Sequence, residues 1–118
     1  MTGLDLIGHI ETTEISEDAF VVSVVGPLDG RVAAELRDAL MPLATRDCAG
    51  LLLDLSDAHG LDDDALSVIS HAAHHVRRRG ETLGIVTNST SARDLIDSSG
   101  LLDIVTVFSS AREAISVG

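Results

Sequence analysis

Three consecutive carboxylates, Asp62, Asp63 and Asp64, stand where an aliphatic run gives way to a helical pattern. Acidic residues favour a helix N-terminus, each contributing about 0.3–1 kcal/mol there. One carboxylate would suffice as a cap, and three in a row repel one another. The run therefore reads as a helix start that also presents a functional surface. Further along, His71, His74 and His75 form HAAHH, with His71 and His75 at the i,i+4 spacing of two metal ligands on one helix face. The metalloprotease form of that motif needs Glu at position 72, which is alanine. These histidines fall opposite the Leu66, Ile69, Ala73 and Val76 stripe and are expected to face solvent, so no metal site is assigned. Cys48 is the single cysteine, has no nearby histidine in sequence and cannot form an intramolecular disulfide, which suits a reducing compartment. Asp97-Ser98-Ser99-Gly100 falls at the end of a helical pattern, where Gly100 is a C-cap. G-x-S-x-G, P-loop and G-x-G-x-x-G patterns are absent. The residues do not argue for an enzyme, a cofactor or a metal.

Asp54, in LLLDLSD, ends a predicted central strand in a chain of about the length of a phosphoryl-accepting receiver domain. That chemistry needs an acidic pair after the first strand to hold Mg²⁺ and a lysine after the last strand to neutralise the phosphoryl group. The first strand here is followed by Ser16-Glu17, and the chain contains no lysine. The receiver reading fails on both counts.

The elements that must position these residues follow from composition and period. The chain has 118 residues, one domain's worth, with 45% apolar residues and 23% charged. Aromatics are two Phe alone, so the core is built from Val, Ile, Leu and Ala. The net charge of −11 repels phosphate backbones and anionic lipid, which argues against nucleic-acid or membrane-surface binding. No run approaches the roughly 18 apolar residues of a membrane span, and no signal peptide is recognisable, so a cytoplasmic setting is expected.

Residues 1–8 read as a flexible lead-in and 9–118 as the domain. Ile10–Ile15 is the weakest strand, AFVVSVVG (19–26) a buried one, and GLLLDL (50–55) a central one apolar on both faces. LGIVT (83–87) and DIVTVF (103–108) complete the set. A helix over 30–45 follows Asp29 as N-cap, with Val32, Leu36, Ala39, Leu40 and Leu43 at helical spacing. A second, over 63–79, buries Ala65, Leu66, Ile69, Ala72, Ala73 and Val76, carries Arg77, Arg78 and Arg79 in its last turn and stops at Gly80. A third covers 91–99 with Ser91 as its cap, and Ser110-x-x-Glu113 opens a short fourth. Alternation after residue 19 predicts parallel βαβ units, hence an α/β domain with a mostly parallel sheet of four or five strands and four helices.

Four segments together resemble the STAS domain family. Gly26-Pro27-Leu28-Asp29 resembles its G-x-L-D signature and Leu51–Asp57 its central strand. Leu61–Leu66 (LDDDAL) stands where the family has D-S-[ST]-G-L, and Arg93–Leu101 resembles its late helix ending in x-G-L. The match runs over about residues 10–117 in the right order and spacing. Chain length favours the stand-alone anti-sigma factor antagonist branch over transporter tails.

The resemblance implies a partner switch that controls transcription. Such antagonists bind an anti-sigma factor, a serine kinase of the histidine-kinase-like ATPase fold, and so free the sigma factor. The kinase phosphorylates the serine after the motif's aspartate, and binding is lost. Here that aspartate matches Asp62, the phosphoacceptor serine matches Asp63, the next Ser/Thr matches Asp64, and the glycine matches Ala65. Asp63 in the phosphoacceptor place implies an interaction that does not depend on phosphorylation. The partner surface is expected to include Asp29, Asp62, Asp63, Asp64, Ser67, His71 and His74, with Ser70 on the same face. An alternative is a STAS module that senses a small molecule or nucleotide.

Overall fold

The computed structural model describes residues 8–28, 30–46 and 50–117, the last three as backbone only. Expectations for Asp29 as a cap and contact residue, and for Cys48, lie outside the described residues. Of the lead-in only Gly8 is described; it is buried, and a Cβ there would lie 2.2 Å from the carbonyl oxygen of Pro27.

Among the described residues five strands form one sheet in the order in which they occur in the chain. β1 (His9–Ser16) pairs antiparallel with β2 (Ala19–Pro27). From β2 onward every pairing is parallel: with β3 (Gly50–His59), then β4 (Leu83–Val86), then β5 (Val105–Phe108). The intervening segments are α1 (Gly30–Thr45), α2 (Asp63–Arg78) and α3 (Thr90–Ser98), and α4 (Ala111–Val117) follows β5. The central strand is buried as its lack of polar alternation requires: Leu51, Leu53 and Leu55 face the main core, and Leu52 faces the other side.

The core has two unequal layers. Val22, Val24, Leu53 and Ile85 meet Leu36 and Leu40 of α1, Ile69 and Ala73 of α2, and Ile96 of α3 on one face. On the other face Val21, Leu52 and Val86 form a small cluster with Phe108 and with Ala114 of α4.

Several boundaries differ from the sequence reading for identifiable reasons. β3 continues to His59, because its last residues pair with Val25, Gly26 and Pro27 after a bulge. Asp103 and Ile104 are not in the last strand; Leu101–Asp103 form a 3₁₀ turn after Gly100, whose φ of 81° ends α3. The cap of α3 is Ser89 and not Ser91: its side chain accepts from the Ala92 N–H, and its own N–H donates to the buried Thr87 hydroxyl. On α2 the buried stripe contains Val68, while Leu66 is only half-buried. His75 is half-buried, in contrast to His71 and His74.

Candidate functional site

β3 ends in a turn at Gly60, whose φ of 87° is the left-handed conformation glycine tolerates. The chain then enters α2. Asp62 adopts an extended backbone (φ −99°, ψ 177°), and its Oδ1 accepts a 2.9 Å hydrogen bond from the Ala65 N–H. This is the N-cap, and it satisfies one of the first-turn amides that the helix itself leaves unpaired.

Asp63 and Asp64 fill the first turn of α2, both exposed. Asp64 turns toward α1: a Cβ added at Gly30 would lie 3.3 Å from its Oδ2. The Asp63 side chain makes no hydrogen bond or ion pair to any other described residue. The triplet resolves into three positions: one caps α2, one lies against α1, and the middle one projects.

A groove of about 390 Å³ runs between the two helices from this point. Gly30, Ala34 and Arg37 form one wall, Asp64, Ser67 and His71 the other, and the buried Ala33 and Val68 form the floor. On the expected surface Asp63, Ser67, His71 and His74 are exposed, and Ser70 is half-buried. Missed by the sequence reading were Gly30, Ala34 and Arg37, the α1 wall. Their small–small–Arg pattern carries no motif, and only the packing of α1 on α2 makes them part of one surface. A second groove of about 260 Å³ lies on the other side of the α2 entry, where Gly60 and Leu61 face Ser89, Ser91 and Leu95 at the start of α3.

The remaining candidates are engaged locally. Asp54 Oδ1 accepts from the Ser56 N–H at 2.9 Å. The hydroxyls of Ser98 and Ser99 donate back to the carbonyls of Leu95 and Ile96, as residues of a helix end do. Among the described residues no group of three or more His, Cys, Asp or Glu side chains is arranged to hold a metal ion. No helix among them is long and apolar enough to cross a membrane.

The profile of the STAS domain family matches residues 10–114, so nearly the whole chain lies within it. The chain belongs to the STAS domain family. It is similar to the anti-sigma-B factor antagonist of Bacillus subtilis (strain 168), with 30% identity over 92 residues, spanning 78% of this chain and 84% of that protein. In fold it resembles an anti-sigma factor antagonist from Mycobacterium paratuberculosis (TM-score 0.81, 20% identity, 93% of this chain and 92% of the other). It likewise resembles the phosphorylated form of the Bacillus cell fate determinant SpoIIAA (TM-score 0.74, 13% identity, 92% and 97%).

Proposed function

We propose that this chain is an anti-sigma factor antagonist-like interaction module in the partner-switching control of transcription, and that Asp63 stands in the place of the phosphoacceptor serine. Its partner is an anti-sigma factor, a serine kinase of the histidine-kinase-like ATPase fold, met in the cytoplasm at the start of α2 and along the α1–α2 groove. It acts by binding and has no reaction of its own.

The observation that carries this reading is the division of labour within Asp62–Asp64. Asp62 serves the local structure as the cap, Asp64 lies beside the start of α1, and the exposed Asp63 between them stands at the motif position that a kinase would address. A carboxylate brings about one negative charge where phosphoserine brings nearly two and three acceptor oxygens, so Asp63 is a partial phosphate mimic. The module is accordingly held in one interaction state, the weak-binding, phosphate-like one.

The test is Asp63→Ser. A hydroxyl there takes up phosphate from the kinase and ATP, and before phosphorylation the variant binds the anti-sigma factor more tightly than the native chain. Stoichiometric phosphate on Ser67, Ser98 or Ser99 of the native chain would show a displaced switch and overturn the reading. So would Asp63 and Ser67 substitutions that leave binding unchanged while α1 substitutions abolish it.

A further inference from the structure

The groove between α1 and α2 is lined by two matching stripes. Gly30, Ala33, Ala34 and Arg37 recur on α1 at the i, i+3, i+4, i+7 spacing of one helix face. Asp64, Ser67, Val68 and His71 repeat that spacing on α2. Both helices cross over between parallel strands, so they run the same way. Between its charged residues nothing larger than Val68 lines the groove. Another backbone can therefore come close, as helix packing at about 8–10 Å between axes needs.

The charges of the groove are split between its two ends. Asp64 lies where the stripes begin, whereas Arg37 and His71 end them, two helical turns or about 10 Å further along. All three are exposed, and none of their side chains has a hydrogen bond or ion pair among the described residues. Arg31 pairs with Glu35 one turn on, at 3.3 Å, but Arg37 has no acidic residue three or four positions away. Nothing within the groove neutralises its polarity. A single helix carries the complementary pattern, because helices favour carboxylates in their first turn and cations in their last. Laid antiparallel to α1 and α2, it sets its acidic start on Arg37 and His71 and its basic end on Asp64. Its macrodipole then opposes theirs, which adds to the attraction. Laid parallel, the same helix meets like charge at both ends.

We propose that the groove seats an amphipathic helix of the anti-sigma factor, antiparallel to α1 and α2, with a carboxylate on Arg37 and a cation on Asp64. The inference rests on the anti-sigma factor being the partner. Asp63 is outside the groove lining, so the phosphoacceptor place and the seat are adjacent and separate.

Two measurements test it, both on the full-length Asp63→Ser chain with the anti-sigma factor used to test that substitution. The first is hydrogen exchange of the anti-sigma factor, read by mass spectrometry with and without the chain. One helical segment should gain protection, acidic in its first turn and basic in its last. Protection confined to a strand, a loop or a helix of the opposite polarity overturns the seat. The second is a charge exchange, Arg37→Asp with Asp64→Arg, which leaves the net charge unchanged and reverses the groove. Calorimetric Kd should rise about a hundredfold, and about tenfold for Arg37→Gln alone, as the two ends contribute independently. Arg78→Ser, away from the groove, should leave it unchanged. Arg37→Gln alters one exposed helix residue, so it keeps the test decisive if the double exchange does not fold. A Kd that ignores Arg37→Gln, or the exchange where it folds, overturns the seat and leaves the partner reading standing. An Asp63→Ser chain that does not bind the anti-sigma factor removes that reading, and the seat with it.

Discussion

The two ends of α2 invite comparison because each carries three like charges in a row. At the start, Asp62 caps the helix, Asp64 reaches α1, and Asp63 between them projects. At the finish, Arg77 donates to the Asp103 carbonyl at 3.1 Å and Arg79 holds the end of α1. Arg78 between them is exposed, and its side chain has no hydrogen bond or ion pair to the described residues. The two middle residues are alike: neither the Asp63 nor the Arg78 side chain has a hydrogen bond or ion pair to the described residues. A free charge is therefore no mark of function by itself. What separates Asp63 from Arg78 is position, one beside a groove at the place proposed for the partner, the other at a stop signal. That stop is well made: Gly80, at φ 81°, donates to the Arg77 carbonyl, and Glu81 donates to that of Val76, the two bonds of a Schellman motif.

Five substitutions sharpen the comparison, and since the chain has no Trp or Tyr, urea unfolding is best read by far-UV circular dichroism. The largest loss is expected for Arg79→Met, about 2–3 kcal/mol, because several charged hydrogen bonds from a well-shielded guanidinium are removed at once. Gly80→Ala follows at about 1–2 kcal/mol, the cost of holding a Cβ in the left-handed region. Asp62→Ala should lose about 1 kcal/mol with its cap. The middle residues come last, with Asp63→Ser and Arg78→Ser each within about 0.5 kcal/mol of the native chain, as ordinary surface changes are. These two are then told apart by partner binding alone, which only Asp63→Ser should alter. If Arg78→Ser alters it equally, the two ends of α2 do not differ as argued.

Much of this architecture is legible in the residues, because it is written in local signals. Leu51, Leu52 and Leu53 have no polar alternation and end up buried on both faces. Gly80 and Gly100 stop their helices where the helical periodicity ends. Asn88-Ser89-Thr90-Ser91 offers several capping hydroxyls, and the choice of Ser89 depends on the buried Thr87 beneath it, which no local rule reveals. Similarly, Ser56–His59 lacks a strand's composition and is extended only because the end of β2 lies alongside. The groove was half legible: α2's polar face follows from helical spacing, whereas Gly30 and Arg37 become a wall only through packing. The hydrogen bond from Arg79 to the Ala44 carbonyl was hidden altogether, since it joins residues 35 positions apart.

The order of strands across the sheet, identical to their order along the chain, bears on how the protein is made. No strand has to be inserted between two already paired. As the chain leaves the ribosome at about 5–20 residues per second, the β1–β2 hairpin offers a free edge, and each βα unit adds the next strand to the edge just formed. Every sheet contact joins neighbours in the chain, which keeps loop-closure entropy low and favours rapid folding. Assembly of this kind leaves the exposed β5 edge as the last to be made, with α4 emerging behind it to cover the second face.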